Sequence, residues 1–263
     1  MSIDGLHTEL SGSGPPVLLV HGAGAFAGLF EPVVSGLETA HEVLAYDRRG
    51  HARSIDAPVS RLHVHVEDAA ALIEARLGGR ACVVGWSAGA NIALMLAAAH
   101  PERVGSLVLC EPSFLLRAPQ LETLRALAGW EAARLRHGPR EGALRFYRWA
   151  SQFRGTGENA FDAYPEAWRE QMLDNHPALF AEARIGSGAA GETLGRDALR
   201  GIACPMTLLR GELTAAPFES GLRYFSRQAA IQTERVVPGA SHMIPTDAPE
   251  AVVSAVLRIH EPD

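Results

Sequence analysis

The sequence contains no lysine, and this absence excludes several kinds of chemistry. All 24 basic residues are arginine. Without lysine the chain cannot form a Schiff base with a substrate. It also cannot place an ammonium group in a phosphate-binding P-loop or use a lysine as a general base.

Cysteine and long apolar runs are also scarce. Cys82, Cys110 and Cys204 lie in or beside apolar runs, and three cysteines without a spacing motif argue against a disulfide framework or a zinc site. They are expected to be buried thiols. No apolar run is long enough to cross a bilayer, and the polar segment Met1–Gly14 lacks the core of a secretory signal. We therefore expect a cytoplasmic protein that uses no membrane, metal or cofactor.

The charge distribution limits the partners. The formal net charge is −6, and no basic stripe or cluster interrupts it. The sequence therefore does not predict the positive surface that binding to a nucleic acid or an acidic membrane requires. The expected partner is a small molecule. The sequence does not distinguish a monomer from a homodimer.

Short β-rich runs alternate with helical patterns along the chain. The predicted strands are Pro16–Val20, Val43–Tyr46, Ala81–Val84, Leu107–Cys110, Met206–Leu209 and Thr233–Val237. The predicted helices are Phe30–Leu37, Leu62–Leu77, Ala88–His100, Pro217–Ala230 and Pro249–Ile259. Such alternation is typical of a mostly parallel sheet covered by helices on both faces, so we predict an α/β fold.

The interval from Ser113 to about Arg200 breaks this alternation, because it holds helical patterns but no convincing strand. It also carries ten of the seventeen aromatic residues. We therefore predict a core formed by residues 1–112 and 201–263, and a helical cap, residues 113–200, inserted over the carboxyl edge of the sheet. The aromatics favour an apolar substrate; alternatively, Phe146, Trp149 and Phe153 fall at helical spacing and only pack the cap down.

The sequence Gly85-Trp86-Ser87-Ala88-Gly89 places a serine where a predicted strand turns into a predicted helix. A serine at such a turn presents its hydroxyl at the edge of the sheet, and flanking glycines let the strand and the helix approach closely. A bare Gly-x-Ser-x-Gly also occurs by chance in flexible loops. The strand before it and the helix after it favour a nucleophile at Ser87.

Three further motifs resemble those of the α/β-hydrolase family, in the order that the family has them. His21-Gly22-Ala23-Gly24 is similar to the family's oxyanion loop. The segment 47–54, Asp-Arg-Arg-Gly-His-Ala-Arg-Ser, is similar to its Asp-x-Arg-Gly-x-Gly-x-Ser turn, with Ala52 in place of a glycine, which predicts a slightly altered turn. His242 follows the last predicted strand, where the family carries its catalytic histidine. The resemblance covers nearly the whole chain and implies an α/β-hydrolase fold with a cap.

The resemblance also implies roles for these residues. A serine hydroxyl is a poor nucleophile at neutral pH, so Ser87 needs a base, and His242 is the expected one rather than a plain loop histidine. The backbone amides of Ala23 and Ala88 are expected to stabilise the oxyanion, although both alanines would also suit mere tight packing. Removing one such donor typically costs about 2.7–4 kcal/mol.

The third member of the expected triad departs from the usual family pattern. Most members carry an aspartate after the strand that here is Met206–Leu209, but this chain has Thr214 at that point. Glu111 is the first choice for the acid, because it directly follows a predicted strand where some haloalkane dehalogenases and the zearalenone lactonases carry a glutamate. Glu212 is the alternative acid. Either carboxylate could instead be a surface group, with another acid or none behind His242.

A serine nucleophile favours acyl transfer, so the expected function is hydrolysis of a carboxylic ester or lactone through an acyl-enzyme. A C–C bond hydrolase acting on a diketone or a perhydrolase would use the same triad. A receptor-like homologue that only binds a ligand is the alternative from another class. The residues expected to line the substrate pocket are Gly22, Trp86, Phe114, Trp149, Phe153 and Met243.

Overall fold

A computed structural model gives the structure of the chain and describes residues 3–54, 61–113, 121–184 and 194–259. Within these ranges seven strands form one sheet. The strands are β1 (Thr8–Gly12), β2 (Pro16–Val20), β3 (Glu42–Tyr46), β4 (Ala81–Trp86), β5 (Val104–Cys110), β6 (Met206–Gly211) and β7 (Thr233–Val237). The six predicted strands are confirmed, with bounds that shift by at most three residues.

Helices connect the strands, and the five predicted ones are confirmed. Before β6 the α-helices of the described residues are α1 (Glu31–Leu37), α2 (Leu62–Arg76), α3 (Ala88–Ala99), α4 (Leu121–His137), α5 (Pro139–Ala150), α6 (Ala160–Ala163), α7 (Glu166–Asp174), α8 (His176–Arg184) and α9 (Arg196–Arg200). After β6 they are α10 (Ala216–Ser226), α11 (Ile244–Asp247) and α12 (Pro249–Ile259). A short 3₁₀ helix, Ala27–Phe30, precedes α1. Helices α4–α9 fall within the predicted cap; its boundaries as a separate domain stay a prediction.

The order of the strands places two loops side by side. The sheet has the order β1-β3-β2-β4-β5-β6-β7, in which only β1 runs antiparallel to its neighbour. The order reverses between β2 and β4, which pair with Val20 opposite Gly85. In open α/β sheets ligands bind at such a reversal, outside the carboxyl ends of the strands. The loops after β2 and β4 are the ones that carry the sequence motifs.

Alternate residues of each strand pack against opposite layers of helices. Along β2, Val17 and Leu19 belong to the apolar cluster under α1 and α12, whereas Leu18 and Val20 belong to the cluster under α2 and α3. This period of two is what a sheet covered on both faces requires. The first cluster also contains buried residues of α5, α7 and α8, so these helices and the sheet share one apolar layer.

Two features of the core differ from the sequence analysis. Strand β1, Thr8–Gly12, was not predicted, because Leu10 is its one large apolar residue and three of its five residues are exposed at the edge of the sheet. The prediction of three buried thiols was wrong for Cys204, which is partly exposed, although Cys82 and Cys110 are fully buried. Cys204 lies in the connection between α9 and β6 and not within a strand.

Candidate active site

Ser87 lies in a tight turn between β4 and α3. Its backbone has φ +56° and ψ −117°, a conformation that non-glycine residues rarely adopt. The flanking glycines make the turn possible, since a Cβ at Gly85 would lie 2.6 Å from the Cα of Ala90, and one at Gly89 would lie 2.1 Å from the carbonyl oxygen of Val20. The turn therefore lifts the serine hydroxyl above the carboxyl edge of the sheet.

The structure brings Ser87, His242 and Glu111 together in one hydrogen-bonded chain. The Nε2 atom of His242 lies 2.9 Å from Oγ of Ser87, and its Nδ1 atom lies 2.7 Å from Oε2 of Glu111. An ionised carboxylate can only accept, so Nδ1 carries the proton and Nε2 is free to accept the serine proton. This arrangement is the one that a general base acting on a serine needs.

Glu111 is held in place from several sides. It is completely buried at the end of β5 and has a φ of +48°. The backbone N–H of Gly211 donates to its Oε1 at 2.7 Å, and the hydroxyl of Thr214 donates to its Oε2 at 2.8 Å. Thr214, the residue at the usual place of the family's acid, thus touches the carboxylate that contacts His242.

Glu212, the alternative acid, points elsewhere. Its side chain is exposed and accepts a hydrogen bond from the backbone N–H of Gly239 at 2.8 Å. Among the described residues the carboxylate that reaches the imidazole of His242 belongs to Glu111.

The expected oxyanion donors lie next to the serine. Ala23, Ser87 and Ala88 are each partly exposed within an otherwise buried region. A Cβ added to Gly22 would lie 3.2 Å from Cβ of Ser87, which places the oxyanion loop directly beside the nucleophile. Among the backbone hydrogen bonds of the described residues, none uses the N–H of Ala23 or Ala88. Both amides are therefore available to a ligand.

The residues expected to line the pocket have different environments. Trp86 and Met243 are buried, and the indole N–H of Trp86 donates to the carbonyl oxygen of His242 at 2.8 Å, so Trp86 braces the histidine loop from below. Gly22 faces Ser87 as described, while Trp149 and Phe153 are partly exposed. Phe114 lies outside the described residues.

Sequence reasoning missed an aromatic contact to His242. Phe218, in α10, stacks on the imidazole with ring centroids 3.8 Å apart and planes 17° apart. Trp149 of the cap in turn packs on Phe218 at 5.3 Å. No motif marks Phe218, because only the fold brings α10 against the histidine loop.

Behind the oxyanion loop lies a buried charge pair. Arg48 and Glu182, of α8, are both buried, and their Nη1 and Oε1 atoms are 2.6 Å apart. Burial alone would raise the pKa of Glu182, but Arg48, followed by His51 and His65, lowers it to about 2. Burial and then Arg48 lower the pKa of His51 to about 4, so that histidine is neutral at pH 7.

The described residues contain no group of three or more histidine, cysteine or acidic side chains arranged to hold a metal ion. Within the same part of the chain, every helix is too short or too polar to span a membrane.

Residues 17–255 match the model of a protein family described as "Alpha/beta hydrolase family". The chain belongs to the alpha/beta hydrolase family. This result confirms the predicted fold class and the resemblance on which the site residues were chosen. The seven-stranded, mostly parallel sheet is the form that the fold takes here.

Curated hydrolases show how far the similarity extends. The chain is 41% identical to "Uncharacterized hydrolase YraK" of Bacillus subtilis over 113 residues, which is 42% of each protein. It is 36% identical over 115 residues to a pimeloyl-[acyl-carrier protein] methyl ester esterase of Nitrosomonas europaea, or 43% of this chain and 44% of that protein. The matched part therefore spans less than half of these two relatives. A 2-(acetamidomethylene)succinate hydrolase of Mesorhizobium japonicum is 27% identical over 95% of this chain and 90% of its own length.

Two solved structures superpose on almost the whole chain. A thermophilic esterase from Thermogutta terrifontis has a TM-score of 0.76 at 26% identity, covering 97% of this chain and 94% of its own. Est816, described as an N-acyl homoserine lactone degrading enzyme, has a TM-score of 0.74 at 19% identity, with 96% and 95% covered. The second likeness shows the shared fold alone.

Proposed function

We propose that the protein is a serine hydrolase that cleaves a carboxylic ester or lactone through an acyl-enzyme intermediate. The observation that carries the proposal is the continuous hydrogen-bonded chain from Ser87 through His242 to Glu111. Family membership and the esterases among its relatives support the same reaction type.

In the proposed reaction Oγ of Ser87 attacks the carbonyl carbon while Nε2 of His242 takes the hydroxyl proton. The carbonyl oxygen becomes an oxyanion, which the N–H groups of Ala23 and Ala88 stabilise. Collapse of this intermediate breaks the bond between the carbonyl carbon and the oxygen of the alcohol, and His242 gives its proton to that oxygen. When the substrate is a lactone, the alcohol stays attached to the acyl group. Water, deprotonated by His242, then attacks the acyl-enzyme. The bond between the acyl carbon and Oγ of Ser87 breaks, His242 returns the proton to Oγ, and the acid is released.

The apolar side chains around His242 support a small, apolar substrate. Phe218, which is buried, stacks on the imidazole, and Trp149, which is partly exposed, packs on Phe218 and extends this apolar surface. Such a surface binds an acyl chain or a ring by excluding water, while the few polar groups of the site orient the carbonyl.

The direct test is turnover of p-nitrophenyl acetate and butyrate by the wild type and by Ser87→Ala. We expect the variant to lose at least about a thousandfold in kcat, because the nucleophile is removed and only binding and the oxyanion donors remain. A fluorophosphonate should add once to the wild type, at Ser87, as read by mass spectrometry.

Ser254→Ala is the matched control, since this serine lies on α12 and bonds only to Arg258 in an exposed position among the described contacts. It should keep both turnover and labelling. A folded wild type that hydrolyses no ester or lactone and leaves Ser87 unlabelled would contradict the proposal and favour the binding alternative. Release of a carboxylic acid from a diketone, but not from any ester, would favour C–C bond hydrolysis.

A further inference from the structure

The oxyanion loop is held from behind by side chains of the cap. Ala23 contributes its N–H to the proposed oxyanion site, and that N–H lies in the peptide plane that joins Gly22 to Ala23. The next plane joins Ala23 to Gly24 and, when it is held, restricts rotation of the first. Both planes make hydrogen bonds to buried side chains, as follows.

The first plane is held by Arg48 and by His21. The Nη2 atom of Arg48 lies 2.7 Å from the carbonyl oxygen of Gly22, and Nδ1 of His21 lies 2.9 Å from the same oxygen. Because a peptide unit is planar, the carbonyl of Gly22 and the N–H of Ala23 belong to one rigid group and point in opposite directions. Holding the carbonyl oxygen therefore aims the N–H of Ala23 toward the opposite side.

Arg48 is itself held by the cap. Its two terminal nitrogens, Nη1 and Nη2, lie 2.6 and 3.2 Å from the two carboxylate oxygens of Glu182. Arg48 is completely buried and Glu182 nearly so, which makes the paired geometry rigid. Arg48 occupies the variable position of the Asp-x-Arg-Gly turn, so the family motif assigns it no role.

The second plane and the residue after it are held as well. The N–H of Gly24 donates to Nε2 of His51 at 3.3 Å. The carbonyl oxygens of Gly24 and Ala25 belong to the two planes that follow. The hydroxyl of Tyr147, in α5, lies between the carbonyl oxygens of Gly24, at 3.0 Å, and Met172, at 2.8 Å, and Nδ2 of Asn175 donates to the carbonyl oxygen of Ala25 at 2.9 Å. A Cβ at Gly24 would lie 2.2 Å from the Tyr147 hydroxyl, so the cap packs directly on the loop.

We propose that three side chains of the cap are positioning residues that set the direction of the oxyanion donor at Ala23. They are Tyr147, Asn175 and Glu182, of which Glu182 acts through Arg48. This inference rests on the proposed function of Ser87 and Ala23. None of the three cap side chains contacts the reacting atoms. Their effect is on the transition state, in which the oxyanion forms.

The test uses two variants of the full-length chain. Tyr147→Phe removes one oxygen and keeps the ring that stacks on Phe161 at 5.4 Å. Arg48→Met/Glu182→Leu removes both buried charges together, a change that usually leaves stability intact because no unpaired charge remains. Each variant is compared with the wild type by active-site titration, by kcat and KM for p-nitrophenyl butyrate, and by the Ki of a trifluoromethyl ketone, whose adduct carries an oxyanion.

We expect kcat per titrated site to fall about ten- to hundredfold in both variants, with KM within twofold, because a small misplacement of a catalytic group costs this much. The Ki of the ketone should rise by a similar factor. A purely structural role would lower the fraction of active sites and leave kcat per site and Ki unchanged.

Arg140→Gln is the control within the cap, since Arg140 forms exposed ion pairs with Glu170 and Asp174 that are worth little. It should match the wild type. Unchanged kcat per site and Ki in Tyr147→Phe would overturn the positioning role even if the double variant did not fold. A wild type without Ser87-dependent turnover would instead overturn the proposed function, so the two failures are distinguishable.

Discussion

At the scale of single residues, backbone strain is concentrated around the proposed active site. Among the described residues three that are not glycine have positive φ angles, namely Ala52, Ser87 and Glu111. Such conformations cost about 1–3 kcal/mol each and persist only where the surroundings enforce them. Ser87 and Glu111 are two members of the hydrogen-bonded chain, and the N–H of Ala52 donates to Asn175 of the cap. The alanine in the Asp-x-Arg-Gly turn thus retains a conformation that glycine adopts without strain.

The geometry of Glu111 leads to a prediction that separates it from Glu212. Glu111→Gln should lower kcat/KM at least about a hundredfold, because the imidazole loses both its tautomer control and the charge that stabilises imidazolium. Glu212→Gln, the matched control, should change it less than threefold. Turnover of p-nitrophenyl butyrate measures both. Small and equal losses would show that neither carboxylate supports His242.

Other residues at the site could not be found from sequence. Ser87 and His242 were chosen from local motifs, and Glu111 from its place directly after a strand. Arg48 and Glu182, in contrast, are 134 positions apart, and nothing in their neighbourhoods marks them as partners. The same is true of Phe218, whose contact with His242 depends on the packing of α10. Local sequence patterns predict strand ends and turns, whereas contacts between distant elements depend on the assembled fold.

At the scale of elements, the contact between α2 and α8 buries an unsatisfied histidine. His65, in α2, is almost fully buried, and its Nε2 atom lies 3.7 Å from Oε1 of Glu182 in α8. Neither ring nitrogen makes a hydrogen bond to the described residues. Burial and then Arg48 lower its pKa to about 3. Glu182 opposes this shift, while His51 and Arg49 add to it. The folded protein therefore keeps His65 neutral well below the pH at which a solvated histidine takes up its proton.

This burial predicts how stability depends on pH. Between pH 6.5 and about 3 the unfolded chain binds a proton at His65 that the folded chain does not, so stability falls as the pH falls. The slope from one such group is at most about 1.4 kcal/mol per pH unit. His65→Leu should flatten the dependence and should equal or exceed the wild-type stability at pH 7, because it removes a buried imidazole that makes no hydrogen bond to the described residues.

Thermal unfolding at pH 7, 6, 5 and 4.5, followed by circular dichroism, measures the effect. His137→Gln is the control, since this histidine is exposed at the end of α4, and it should keep the wild-type slope. A wild-type melting temperature that is constant from pH 7 to 4.5, or a His65→Leu variant with the same slope as the wild type, would contradict the prediction.

At the scale of the whole molecule, the predicted cap is not separated from the sheet by a polar boundary. Tyr147, Phe161 and Leu179 of the cap share one buried apolar cluster with strand residues such as Leu19 and Val84. The buried ion pair of Arg48 and Glu182 also joins the predicted cap to the rest of the chain. Loss of the cap would expose this apolar surface and leave the charge of Arg48 without its partner Glu182.

We therefore predict that the cap and the sheet unfold together. Three of the four tryptophans, Trp130, Trp149 and Trp168, lie in the cap, so tryptophan fluorescence reports mainly on that part of the chain. Far-ultraviolet circular dichroism reports on all helices and strands. The two signals should have coincident midpoints in thermal and urea unfolding. A fluorescence midpoint well below the dichroism midpoint would mean that the cap unfolds on its own.

The link between α8 and the oxyanion loop has a consequence for any breathing motion of the molecule. A displacement that carried Glu182 away from Arg48 would also loosen one of the two contacts that hold the peptide of Ala23. A protein with α8 displaced would then admit an ester and still fail to polarise its carbonyl. The reaction would be restricted to the closed state, from which bulk water is excluded.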